Sequence, residues 1–119
     1  MNKIAMLCLL SVGLFASTAN AEITIKSYKA TKAAGGHNWM TMKIYIHGLA
    51  TAFMYANIDL DQNHHQMIYC KPESFSFMED NLLELLDTNI ADKRLALPDY
   101  APIEGILLQG LKASFPCNK

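Results

Sequence analysis

Two cysteines, Cys70 and Cys117, limit the fold of this chain more than any other residues, because the third, Cys8, falls in a segment that reads as removable. Residues 1–21 begin with Met1-Asn2-Lys3, continue through apolar residues from Ile4 to Ala16, and end on Ala19-Asn20-Ala21. That is the order of a secretory signal: a positive start, a short apolar stretch, and an A-x-A cleavage site, here before Glu22. The stretch is shorter than the roughly 20 residues a bilayer span needs. An uncleaved anchor or a lipoprotein signal is the competing reading, although Cys8 sits in mid-stretch and not at its end. Cleavage leaves residues 22–119, enough for one domain and not two.

An exported chain meets oxidising conditions, where an isolated cysteine pair is more often a structural bridge than a catalytic thiol or a metal pair. The separation does not fit C-x-x-C. A bridge closing about 48 residues contributes roughly 4 kcal/mol in the chain-entropy treatment. That is a large share of the stability of a domain with so small a core.

The net charge of −1 does not argue for nucleic acid as a partner. Its distribution is uneven. Lys26, Lys29, Lys32 and Lys43 stand near the start, whereas residues 73–104 carry eight carboxylates against Lys93 and Arg94. Such polarity either steers a partner or a second copy of the chain, or marks solvated helix faces.

Hydrophobic spacing predicts an all-α fold, a small helical bundle of three main helices plus a short N-terminal arm, closed by one disulfide. The arm is 22–38, in which Ile23 and Ile25 alternate with polar residues as in a short strand or a loosely ordered segment. Gly35-Gly36 breaks the chain, and Asn38 is the expected N-cap of a first helix over 39–57. Trp39, Met42, Tyr45, Ile46, Leu49 and Phe53 share one face of it, and Gly48, Ala52 and Ala56 form a row of small residues. So few positions there are strongly polar that this helix is expected at the centre of the core. A connection over 58–74 leads to a second helix over 76–89, with Ser76 and Glu79 at capping-box spacing and Met78, Leu82, Leu85 and Leu86 on its apolar stripe. A loop over 90–99 precedes a third helix over 101–114, with Pro102 in its first turn and Ile103, Ile106, Leu107, Leu111 and Phe115 facing inward. Antiparallel packing of the last two helices brings both cysteines to one end of the bundle, as a bridge requires.

Residues able to do chemistry are sparse. His37, His47, His64 and His65, with Asp59 and Asp61, are the only candidates for a metal, and no H-x-x-x-H spacing occurs among them. No nucleophile elbow, H-E-x-x-H or phosphate-binding glycine loop is present. We therefore expect no catalytic residues, no metal and no cofactor, and a function in binding. The expected binding element is the polar loop Asp59, Asp61, Gln62, Asn63, His64 and His65, since exposed loops on rigid scaffolds carry recognition. The loop at 90–98 is second. No apolar run of membrane length follows the leader, so no membrane association is expected after cleavage.

One arrangement is more specific. Tyr45, Gly48 and Ala52 on a first helix precede Cys70-Lys71-Pro72, an amphipathic helix, a proline-bearing loop and a last helix ending Phe115-Pro116-Cys117. Over residues 42–117 this resembles the Rap/Tai-type immunity proteins of type VI secretion, which carry a C-x-P before one helix and an F-P-C-like ending. The resemblance implies a periplasmic, mostly helical, often dimeric protein that binds and blocks a peptidoglycan-cleaving amidase effector. Many such proteins have a further cysteine pair near the N-terminus, where this chain has lysines and alanines. Two other classes fit a small exported helical chain: an acid-stress chaperone, whose carboxylates lose charge at low pH, and a structural envelope subunit.

Overall fold

A computed structural model describes residues 22–118; the expected leader, 1–21, lies outside them. The fold is all-α. Its elements are α1 (Ile25–Ala34), α2 (Gly36–Gln62), α3 (Glu79–Ala91), a 3₁₀ turn (Lys93–Leu95) and α4 (Ile103–Ser114). No helix among the described residues is long and apolar enough to cross a membrane.

The expected arm is a helix. Thr24 caps α1, its hydroxyl accepting the Ser27 N–H at 3.2 Å, and Ile25 and Tyr28 on its inner face are buried. The strand-like alternation survives as one isolated bridge, Thr24 to Pro102. Around it, the Ile25 and Lys26 N–H groups donate to the Ala101 and Asp99 carbonyls, and the Ile103 N–H donates to the Ile23 carbonyl at 2.8 Å. The pairing satisfies the chain just before two helices begin, and the helical period wins after it. Further along α1, the Tyr28 hydroxyl donates to Asp87 at 2.8 Å and the Lys32 ammonium pairs with the same carboxylate. Burial, then Asp87, raises the Tyr28 pKa above its ordinary value.

Gly35 and Gly36 both take positive φ, 66° and 69°, and α2 starts on Gly36 with no side-chain cap. Asn38 is therefore inside the first turn and caps nothing. The helix also runs to Gln62, past the expected end at 57. α3 starts at Glu79 with Met78 as its uncapped flank, so the Ser76–Glu79 capping box does not form. The reason is aromatic burial. Phe75 packs on Phe115 with centroids 4.5 Å apart and Phe77 on Tyr69 at 6.4 Å, which holds the chain extended to Met78. The Ser76 carbonyl instead accepts the Asn81 side-chain amide at 2.9 Å. Pro102 precedes α4 as its cap, one residue outside the helix and not in its first turn.

The core comprises Ile25, Tyr28, Met42, Ile46, Ala50, Leu82, Leu86, Ile103, Ile106 and Leu107, with Trp39, Leu49 and Phe53 half-buried against it. Tyr45 and Met78 are not part of it; Met78 is 65% exposed. Nor is α2 buried all round. Met40, Ile44, Tyr55 and Ile58 stand in solvent, and Gly48, Ala52 and Ala56 share that outward side, unpartnered by any other described helix.

Cys70 and Cys117 are bonded, with Cα atoms 4.8 Å apart, and the Cys70 N–H donates to the Phe115 carbonyl at 2.7 Å. The approach to Cys70 is fixed from α2. Buried Asn57 donates from Nδ2 to the Tyr69 carbonyl at 2.6 Å and accepts the Ile68 N–H on Oδ1 at 2.6 Å. Tyr69 itself is fully buried, yet its hydroxyl has no hydrogen-bond partner among the described residues.

These two side chains predict opposite outcomes. Asn57→Ala strands backbone groups in the interior and should lower unfolding stability by about 2–4 kcal/mol. Tyr69→Phe removes an unmatched buried hydroxyl and should raise stability by about 1 kcal/mol. Urea unfolding of the oxidised protein reads both; a Tyr69→Phe loss would mean that the hydroxyl is satisfied.

Candidate functional site

The sequence singled out Asp59 to His65 as a loop, and the structure divides it. Asp59, Asp61 and Gln62 form the last turn of α2, and Asn63 is its C-cap. The Asn63 side-chain amide donates back to the Asp59 carbonyl at 2.8 Å and to its carboxylate at 3.1 Å. The His64 N–H then donates to the Asp61 carbonyl and the His65 N–H to the Leu60 carbonyl. This is the Schellman closure, whose pivotal position demands a left-handed backbone and ordinarily a glycine. Here His64 occupies it, with φ at 58°.

All six residues are exposed, and neither Asp59 nor Asp61 makes an ion pair among the described residues. The tip is therefore acidic on its helical side and carries two imidazoles at its apex. Its base is stiff, since the next residues lead directly to the contacts of Asn57 and to the disulfide. A rigid base under an exposed polar tip is an arrangement that can present side chains to a partner at low entropic cost.

The histidines do not converge. His37 and His47 are exposed on α2, with carbonyls that accept the Thr41 and Thr51 hydroxyls. His37 and His64 lie at opposite ends of a helix about 40 Å long. Among the described residues no three His, Cys, Asp or Glu side chains form a group that could hold a metal.

The second expected loop, 90–98, is more ordered than its sequence suggests. α3 continues to Ala91, and Asp92 caps the 3₁₀ turn by accepting the Arg94 N–H at 3.0 Å. The Arg94 guanidinium also grips Asp92 at 2.9 and 2.7 Å and holds its carboxyl down to about 2. Ala96 is left-handed, with φ at 47°. Leu95 and Leu97 on either side of it wall an apolar groove of about 300 Å³ floored by Gly105 and Ile106. This loop leads into the start of α4, whereas the 59–65 tip leads to the disulfide at its end. The two loops therefore serve opposite ends of that helix.

Sequence reasoning missed two surfaces. One is this groove. The other is the outward face of α2, with Met40 57%, Ile44 70% and Tyr55 65% exposed. The signal for the second was present: a helix apolar on every side needs a cover on every side.

The residues behind the family resemblance have structural work. Lys71 donates to the Pro72 and Phe75 carbonyls at 3.1 and 2.7 Å and lies over the Phe77 ring. Pro116 follows the Phe115 contact that seats the bridge.

Replacing His64 by glycine keeps the closure and removes the left-handed penalty, so His64→Gly should stabilise the fold by about 1 kcal/mol. Thermal unfolding measures it; a loss would show the imidazole to be bonded within the fold. Comparison of this chain with models of protein families, with curated proteins and with solved structures gives no match.

Proposed function

We propose that this chain is a periplasmic immunity protein that binds and neutralises a peptidoglycan amidase-like effector delivered by type VI secretion. The observation that carries the reading is the exposed tip from Asp59 to His65. It holds a non-glycine residue in a strained backbone over a base fixed by Asn57 and the disulfide. Strain retained at an exposed position, where glycine would relieve it, is characteristic of functional contacts. The resemblance at Cys70-Lys71-Pro72 and Phe115-Pro116-Cys117 supports the target class. A groove in an amidase would receive the tip, with Asp59 and Asp61 supplying charge and the imidazoles of His64 and His65 hydrogen bonds. The Leu95–Leu97 groove is the second contact surface, suited to one apolar side chain of the effector.

A second copy of the chain is the partner we assign to the outward face of α2. Antiparallel pairing about residues 48–52 sets the small residues Gly48 and Ala52 at the crossing. It also brings the His37 end of one helix toward the Asp59 end of the other.

The functional test is protection. Cells exporting an amidase effector to the periplasm should survive when this chain is co-exported. Replacing residues 59–65 by a Gly/Ser segment should abolish survival while the disulfide and helical content persist. Survival with the replaced tip would remove it from the contact, and protection of an aggregating client at pH 2–3 in place of inhibition would favour the chaperone class. Ile44→Lys should convert a dimer to a monomer in light scattering after size exclusion; an unchanged mass would reject α2 as the dimer face.

A further inference from the structure

Glu104, in the first turn of α4, stands beside the first described residues of the chain. Its Oε1 accepts the Tyr45 hydroxyl at 2.5 Å and the Ile23 N–H at 3.3 Å. Its Oε2 is buried and has no hydrogen-bond partner among the described residues. A carboxylate with one oxygen doubly served and the other left dry is costly, because each buried oxygen has given up water. The cations paired within the fold are committed elsewhere: Lys32 to Asp87, Lys43 to Glu79 and Arg94 to Asp92.

The strand-like pairing described above fixes what lies next to that oxygen. The Ile23 carbonyl accepts the Ile103 N–H, and the Ile25 N–H is held by the Ala101 carbonyl. Ile23 is thus pinned through both its own groups, and the nitrogen of Glu22 is one residue back from a donor that already touches Glu104. Consecutive backbone nitrogens are about 3 to 3.5 Å apart. A charged nitrogen at position 22 therefore lies no more than about 7 Å from Glu104 Oε1, near enough for rotation about the Glu22 backbone to bring it into ion-pairing range. In the uncut chain that nitrogen is a neutral amide.

We propose that Glu104 is the receptor for the α-ammonium group released at Glu22 when the leader is removed. The inference rests on the reading of residues 1–21 as a cleaved leader. An export peptidase adds water across the Ala21–Glu22 amide. The C–N bond breaks, the Ala21 carbonyl becomes a carboxylate, and the Glu22 nitrogen takes the proton to become ammonium at neutral pH. The new positive charge meets the buried oxygen that has no partner. Cleavage then completes the junction of the N-terminal segment, α2 through Tyr45, and the start of α4, so the last contact of the fold forms only after export.

The sign of its pH dependence follows. A free α-amino group titrates near pH 8. Pairing raises that value in the folded state, so the added stability is present in full below about pH 8 and is lost as pH rises through the raised value.

Intact-mass measurement of the exported protein tests the leader alone: a mass beginning at Glu22 is expected, and a cut elsewhere overturns the proposal at that point. The contact is tested separately on oxidised protein released in vitro from a fusion, with chains beginning at Glu22, beginning at Ala21, or beginning at Glu22 with an acetylated amine. The Glu22 chain should melt roughly 5 °C above the other two at pH 7, and Glu104→Gln should erase the difference. In the unmutated chain the α-amine should titrate above its ordinary value by NMR, a readout that does not depend on the variant folding. Equal melting of the three chains, with an unshifted amine, overturns the contact.

Discussion

Asn57 is the buried polar residue that ties α2 to the segment leading into the disulfide. Its side-chain amide is the polar group of α2 that reaches the backbone of residues 68–69, and these lead into Cys70. The disulfide then ties Cys70 to the end of α4, and α4 packs along α3 and returns its first turn to Tyr45 of α2. A bridge restrains the unfolded chain, but it does not select one folded path for the residues around it. Asn57 makes that selection, since any other path for residues 68–69 leaves it buried and unmatched. The exposed tip before this segment is held at its base for the same reason.

Several features were legible because they follow from local chemistry. The pairing of Cys70 with Cys117, the all-α class, and the stripes of Leu82 and Leu86 on α3 and of Ile103, Ile106, Leu107 and Leu111 on α4 are read directly from spacing and composition. What was not legible depended on partners distant in sequence. The N-terminal segment looked like a strand because Ile23 and Ile25 alternate; what settles it is Tyr28, which becomes a helix anchor when Asp87 and Trp39 are brought to it. The capping box at Ser76 was a sound local signal, overridden by the gain from seating Phe75 and Phe77 against Phe115 and Tyr69. At the candidate site, the residue types were legible and the shape was not. Asp59 to Gln62 carry no helix-breaking residue, so nothing opposed one more turn of α2, and His64 in a left-handed backbone cannot be read from its identity.

The surfaces so assembled differ in chemistry. The tip at 59–65 is polar and anionic, the outward face of α2 is apolar and broad, and the groove beside Leu95 is apolar and narrow. A single-function binding protein of this size needs such a division if it is to hold a partner and a copy of itself at once. On the proposed function, the polar tip would supply selectivity through charge and hydrogen bonds, and the apolar face would supply area. Their placement at the end and along the side of one long helix means that neither has to be vacated for the other.

The joint at Gly35 and Gly36 carries a further consequence, for insertions and deletions. α1 is anchored before it by backbone pairing with residues 99–103, and α2 is anchored after it by the core, so the joint sets the rotational phase between two fixed bodies. Losing one glycine would advance α2 by a residue, a turn of about 100° about its axis. Met42 and Ile46 would swing away from Leu82 and Leu86, and the outward stripe would rotate toward the protein interior. Length at this point is therefore under tighter constraint than composition is along most of the helix that follows.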